Sequence, residues 1–246
     1  MDSPTAKAFK LIELFRDRSE VRFSDLVAQL GMSRTAAHRL LATLEEQRLL
    51  HRAVGGFELG PRLHQLATQS ISAALSSGGI RMILTELCKT TGESCGLSIL
   101  KTGEVEYVNT ITAGARLTSM FQPGHRGPLH CTSSGRVFLA SMAQVDIEHF
   151  YASAPWTRFT DQTVCDARQL RRVIENTRRQ GFAVTGAEFT LGLVGGAVPV
   201  YTPSGAIMAC LNIFAPQVRR TEQDIQGFVP VLKAASARIT DYFTSI

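Results

Sequence analysis

The chain has 246 residues, 44% hydrophobic and 19% charged, which describes a globular protein with room for two modest cores and excludes a disordered or fibrous one. No apolar run reaches the roughly 18 residues of a membrane span, and MDSPTAKAFK lacks a signal-peptide core, so the sequence reads as cytoplasmic with no membrane partner. The net charge of +5 permits nucleic-acid binding without locating it, because residues 1–64 hold 10 Lys/Arg against 8 Asp/Glu and the remainder 16 against 13.

Phe9, Ile12, Leu14 and Phe15 space a first amphipathic helix over about residues 5–16. Ser24 stands where an N-cap belongs, Leu26, Val27 and Leu30 share a face of a short second helix, and Gly31 can close it in a left-handed conformation. Ser33 caps a third helix running from Arg34 to about Gln47. On it Ala37, Leu40, Leu41 and Leu44 form a core stripe, while Thr35, Arg39, Ala42 and Glu46, flanked by His38 and Thr43, face outward. Arg34, Thr35, His38 and Arg39 sit at the N-terminal end, which recognition helices insert into the major groove, and they are types that donate to base edges and phosphates. Leu50, Gly55-Gly56, Phe57 and Leu59 read as a hairpin with Arg52 near its tip, where it can meet phosphate. Helix, glycine turn, helix and hairpin make a winged helix-turn-helix; a three-helix bundle with a solvated basic face is the plain alternative.

The run FSDLVAQLGMSRTAAHRLLATLEEQRLLHRAVGGFELGPRL resembles the N-terminal domain of the IclR family of transcription regulators. Arg34, Thr35, His38, Arg39, Leu40, Leu41, Thr43 and Leu44 match its recognition-helix pattern, and Ala36 departs from it, since threonine is commoner there. The DNA-binding candidates are therefore Arg34, Thr35, His38, Arg39, Thr43 and Arg52.

Pro61 opens a connecting helix whose Leu63, Leu66, Ile71, Ala74 and Leu75 make a sparse apolar stripe, suited to packing against its own copy, and Ser76-Ser77-Gly78-Gly79 breaks it flexibly. Beyond lie a helix bearing Ile83, Leu84 and Leu87, strands CGLSIL and EVEYVNTI, helices near residues 134–142, 146–151 and 166–180, strands GLVGGAVPV and AIMACLNIF, and one last helix from Thr221 to about Phe243. The fold class is α+β: a winged helix-turn-helix over residues 1–62, a linker helix over 63–79, and an antiparallel-sheet effector domain over 80–246. GHRGPLHCTSSGRVFLA and GFAVTGAEFTLGLVGGAVPV are similar to two further IclR segments, so the resemblance runs from about Lys7 to Pro216. It implies a GAF-like effector domain, a homodimer or homotetramer, and palindromic double-stranded DNA as partner.

The resemblance also implies a ligand site, carried over position by position. Ser133 and Ser134 would present backbone N–H groups at a helix start, a setting suited to a small carboxylate effector, although Ser133 could simply cap the helix. Small-acid-binding relatives use an aspartate, a cysteine and two serines where this chain has Thr185, Gly195, Asn212 and Phe214. The change implies a larger or partly aromatic ligand, with Met120 and Leu193 as apolar walls. No cofactor or metal is expected: Cys88, Cys95, Cys131, Cys165 and Cys210 show no C-x-x-C spacing. His130 beside Cys131 is a weak nucleophile–base pair, His125 with Arg126 reads as loop surface, Glu188 as a loop anchor, and Arg171, Arg172, Arg178 and Arg179 as a solvated face. Two rivals remain open, a GAF-like enzyme and a protein-interaction module carrying a winged helix; for the first, no G-x-S-x-G elbow, zinc set or phosphate loop is present.

Overall fold

The computed structural model describes residues 3–16, 18–114, 121–153 and 156–244. The chain divides into two compact units, Met1–Ile71 and Ser72–Ile246.

In the first unit α1 (Pro4–Glu13) is capped by Ser3, whose hydroxyl accepts from Ala6 N. The second helix, α2 (Phe23–Leu30), ends on Gly31 at φ 55°. The third, α3 (Arg34–Glu46), is capped by Ser33 accepting from Ala36 N. Strands β1 (Leu50–Arg52) and β2 (Phe57–Leu59) pair antiparallel. Leu11, Leu26, Leu41, Leu44, Leu50 and Phe57 are buried together as the core. Ser24 is not the cap of α2: the helix starts two residues earlier than such a cap would set it, at Phe23, with extended Arg22 in the cap position. The cause is a bridge the sequence did not announce. Val21 N donates to Phe57 O and Phe57 N to Val21 O, both at 2.9 Å, which draws the entry to α2 onto the wing. Gly56 allows this approach, since a Cβ there would lie 2.3 Å from Val21 O.

Helix α4 (Pro61–Leu75) contains the division between the units, and α5 (Gly78–Thr91) begins the second one proper. Gly78 and Gly79 are thus the first turn of a helix rather than a flexible break. Gly79 lies against the Tyr242 ring, where a Cβ would come within 2.6 Å of Cε2. In the sheet, β3 (Ser94–Lys101), β4 (Glu104–Ile111), β5 (Arg126–Gly127), β6 (Ala183–Gly186), β7 (Leu193–Tyr201) and β8 (Ile207–Pro216) lie in the order β5-β4-β3-β8-β7-β6, each pair antiparallel. The short β5 and β6 at its edges escaped the sequence reading.

The helices after β5 are α6 (Ser133–Ser141), α7 (Gln144–Ala152), α8 (Ala167–Gln180), α9 (Glu222–Gly227) and α10 (Val229–Thr244). The predicted single closing helix is two, because Pro230 has no N–H to continue the ladder and the chain turns at Phe228. Side chains alternate across the sheet. Cys95 turns toward α5, its Sγ 3.2 Å from Leu84 O, whereas Asn212, paired with Gly96, turns toward α6. On that side α8 grips the end of α6: Arg178 Nε donates to Ala140 O at 2.8 Å. Arg171 likewise binds Glu148 and lies over Tyr151, so the basic doublets of α8 are not a merely solvated face.

Candidate functional site

The first unit presents Arg34, Thr35, His38, Arg39 and Thr43 of α3 on its exposed surface, with Ala37, Leu41 and Leu44 buried behind them. Leu40 of the expected core stripe is only half-buried. Phe23, at the start of α2, orders two of the outward residues. The His38 ring stacks on it with centroids 4.3 Å apart, and the Arg34 guanidinium lies 5.9 Å from the same centroid. The sequence offered no periodicity that marks Phe23 for this task. Thr43 spends its hydroxyl hydrogen on Arg39 O at 3.0 Å, so it can offer DNA an acceptor and a methyl group but no second donor. Arg52 is held by Glu45, Nε to Oε1 3.0 Å, with its guanidinium 5.3 Å from the Phe57 centroid. The wing arginine is thereby tied back to the recognition helix by a pair that solvent reaches freely.

In the second unit the first turn of α6 borders a small pocket. Ser133, Thr185, Leu193, Gly195, Asn212 and Phe214 all line it. Residues far apart in the chain meet because β7 and β8 pair side by side, with Gly195 opposite Phe214, and because α6 packs across them. Thr132, not Ser133, caps α6: its hydroxyl accepts from Gly135 N at 3.1 Å and its carbonyl from Arg136 N at 3.0 Å. The amides of Ser133 and Ser134 remain the unengaged donors of that turn among the described residues, next to the positive end of the helix dipole. Ser133 is buried and its hydroxyl, like those of Thr185 and Thr190, donates no hydrogen bond among the described residues.

Two expected contacts prove different. Ser134 faces away from the cavity and donates to Asn212 Oδ1, while Asn212 Nδ2 reaches Ser98 Oγ at 3.0 Å and the carbonyls of Gly96 and Cys210 at 3.3 Å. The amide of Asn212 is thus consumed by a buried network that locks α6 to β3 and β8, although part of its side chain borders the pocket. Met120 lies outside the described residues.

Other lining groups were missed. Tyr107 and Phe121 form one wall with their rings edge to face at 5.3 Å, and Phe121 packs on Phe214 at 4.0 Å. Glu188 is more than a loop anchor: its carboxylate meets Arg136 Nη2 at 2.5 Å, deep enough that the two side chains are 10% and 4% exposed. Burial pushes the Glu188 carboxyl up from its ordinary range, against the pull of the Arg136 guanidinium beside it. Arg136 and Glu188 both fall within the two motif segments, so their opposite charges were the available signal. His125 is half-buried in the loop before β5, with its Nε2 enclosed. His130 and Cys131 form no catalytic pair: His130 Nε2 is engaged with Thr157 O at 3.0 Å, and burial pushes the Cys131 thiol up to about 12. No group of His, Cys, Asp and Glu able to hold a metal occurs among the described residues, and no helix among them is long and apolar enough to cross a membrane.

Comparison with known proteins places both units. Residues 4–53 match the IclR helix-turn-helix domain and residues 74–241 the C-terminal domain of bacterial IclR transcriptional regulators. The probable transcriptional regulator SauR of Cupriavidus necator is 28% identical over 98% of this chain and 97% of its own. A putative IclR transcriptional regulator from Silicibacter sp. TM1040 superposes with a TM-score of 0.64 at 28% identity, covering 98% of this chain and 96% of that one. An IclR homologue from Microbacterium hydrocarbonoxydans, crystallised in complex with 4-hydroxybenzoate, shares the fold with a TM-score of 0.62 at 23% identity, covering 99% and 100% of the two chains. The family is one of regulators rather than enzymes. With family models matched across most of its length, on the helix-turn-helix and on the sheet-and-helix unit alike, the chain belongs to the IclR family of bacterial transcriptional regulators.

Proposed function

We propose that this regulator binds a palindromic operator as a homodimer or homotetramer and responds to a small organic acid held in the α6 pocket, governing a catabolic operon. The observation that carries the reading is the first turn of α6: the unengaged Ser133 amide and the Ser133 hydroxyl lie at a pocket walled by Phe121, Leu193 and Phe214, a few polar groups on an apolar lining as in small-molecule sites. Such a turn suits a carboxylate. Phe214, Phe121 and Leu193 on the walls suit a ring or alkyl group. The 4-hydroxybenzoate bound by the M. hydrocarbonoxydans homologue is an acid of that build. Residues 1–62 act as the DNA-binding domain, 63–79 as the linker and 80–246 as the effector domain in this reading.

Assembly is supported by what the first unit leaves uncovered. Phe9 on α1 is 66% exposed and Leu66 on α4 52%, a cost that a second copy would offset by covering them, and a palindromic site calls for a two-fold partner. The test uses the full chain, DNA from upstream of its own gene, and a panel of aliphatic and aromatic carboxylates in gel-shift titrations. An acid should change operator affinity in the wild type and fail to do so in Gly195→Leu, with operator binding itself retained. A Cβ at Gly195 meets Ile213 O at 3.2 Å and stands 3.8 Å from Ser133 Oγ, so Gly195→Ala serves as the gentler variant with a partial effect. Equal response in all three proteins would place the effector elsewhere, and a monomer on the operator by light scattering would remove the dimer.

A further inference from the structure

Phe23 opens α2 and lies half-buried against the core of the first unit. Toward solvent it meets two residues of α3 that stand one helical turn apart. The His38 ring lies over it with centroids 4.3 Å apart and planes 27° from parallel, and Arg34 Cζ is 5.9 Å from the same centroid. Both partners are exposed. Among the described residues neither side chain makes a hydrogen bond or an ion pair. One aromatic ring therefore orders two cationic or polar groups whose donors are all unspent. The remaining candidates on this face are ordered differently: Arg52 is drawn to an acid, Glu45, and the Thr43 hydroxyl is spent on Arg39 O.

Stacking restrains the plane of an imidazole or guanidinium without using any of its N–H groups. A phosphate attracts a cation from every side, so the plane matters little to it. A base edge is a directional target, read best by donors and acceptors held coplanar with it. Ordering the two side chains before DNA arrives also lowers the rotamer freedom lost on binding. Exposed ring and cation–π contacts are individually weak, so the arrangement adds more to the aim of these groups than to the stability of the unit.

Resting on the reading of α3 as the operator-reading helix, we infer that Phe23 is a positioning residue for base recognition. It aims His38 and Arg34 at base edges, and the preference of this regulator for its operator depends on a side chain that does not itself touch DNA.

Gel-shift titrations at fixed salt test this, comparing DNA from upstream of the protein's own gene with a random duplex of equal length and composition. Phe23→Leu should bind the upstream DNA about tenfold more weakly and the random duplex less than about twofold more weakly, as the loss of a directional base contact requires. Phe23→Tyr keeps the ring and should stay within about twofold of wild type on both duplexes. Added to Arg34→Ala/His38→Ala, Phe23→Leu should cost no more than about a further twofold, because the groups it acts through are gone. A phenylalanine that only fills the core would cost the same in either background and on either duplex. Thermal melts show whether each variant is folded at the assay temperature, and Phe23→Met, unbranched and ringless, is held to the same limits if Phe23→Leu is not.

Equal losses on the two duplexes, no loss on either, or a full penalty in the background lacking Arg34 and His38 overturns the inference. Arg39→Ala separates that failure from failure of the operator reading. If Arg39→Ala loses the preference for upstream DNA while Phe23→Leu keeps it, only the role of Phe23 falls. A wild type with no preference for upstream DNA would sink both.

Discussion

The two units of this regulator treat their functional side chains in opposite ways. On α3 the candidate DNA-reading groups are exposed, and what orders them is light: a ring stack on Phe23, an internal threonine bond, a solvent-exposed Arg52–Glu45 pair. Around the pocket the groups that shape the site also hold the sheet to its helices, through the buried Arg136–Glu188 pair and the Ser134–Asn212–Ser98 network. DNA brings its own rigid array of phosphates and base edges, so a protein face needs only to offer donors on a firm helix. A small ligand brings little, and the protein must supply a pre-ordered cavity. Substitutions should therefore strike binding first in one unit and folding first in the other.

The sharpest way to break that contrast is Arg136→Met. Removing one partner of a buried ion pair leaves an uncompensated charge and typically costs about 3–5 kcal/mol, whereas replacing both is far better tolerated. Denaturant melts should show the second unit losing stability by that order in Arg136→Met and regaining most of it in the double variant Arg136→Met/Glu188→Met. A wild-type midpoint for the single variant would mean the pair does not hold α6 to the loop after β6. Next in size is Asn212→Ala, which leaves the Ser98 and Ser134 hydroxyls without their partner and opens a void. A loss of about 2–4 kcal/mol follows from an unsatisfied buried group plus a small cavity, with operator affinity at low temperature unchanged. On the other side of the comparison, Arg39→Ala should leave the melt untouched and weaken operator binding by about 1–3 kcal/mol if the side chain reads a base. A shifted melt with intact gel shifts would reverse the assignment.

This division also explains what could be read from the sequence. Helix α3 was legible because its signal is local: Ser33 at the cap, Gly31 in the turn, and a period-3.6 stripe that forces Arg39 outward. Most of the pocket positions were legible only through resemblance, since Ser133, Gly195 and Phe214 lie far apart in the chain and meet by strand pairing that no local pattern encodes. Where the reading failed, a long-range contact had overridden a local rule. Val21 pairing with Phe57 moved the start of α2 off Ser24, and the Gly-Gly pair read as a breaker begins a helix, with Gly79 packed against Tyr242. Tyr107 was missed for the same reason. Alternation along β4 says only that Tyr107 faces inward, and nothing local says that the segment before β5 returns beside it.

A smaller effect separates the units by pH. Burial lowers the His130 pKa from 6.5, with its bond to Thr157 opposing the shift in part. A depressed folded pKa means stability that is present above 6.5 and lost as pH falls toward the folded value. Glu188, whose pKa is raised above 4.5, gives the opposite slope, its contribution being lost as pH rises. The difference between wild type and His130→Phe removes Glu188 from the comparison. Below pH 6.5 the wild type should lose stability relative to the variant, in the second unit only; a flat difference would show that His130 is free to charge where it lies.

The smallest expected change concerns the wing, and it tests whether an exposed tether matters at all. Arg52 is 67% exposed at its side chain and Glu45 25%, so their pair contributes little to folding, a few tenths of a kcal/mol by the usual measure of surface pairs. Its influence should appear on DNA instead. In the free protein Glu45 holds the Arg52 Nε and places a negative charge beside the guanidinium. Meeting a phosphate requires Arg52 either to leave Glu45 or to bind with its remaining N–H groups against that charge. Arg52→Ala should weaken all sequences alike and lower the slope of log affinity against log salt by about one unit, the signature of one lost phosphate contact. Glu45→Gln keeps the hydrogen-bonding shape and removes the charge. It should strengthen binding to operator and random duplex equally, leaving their ratio as it was. A change in that ratio would mean that Arg52 reads sequence, and that the wing does more than hold the recognition helix at its depth in the groove.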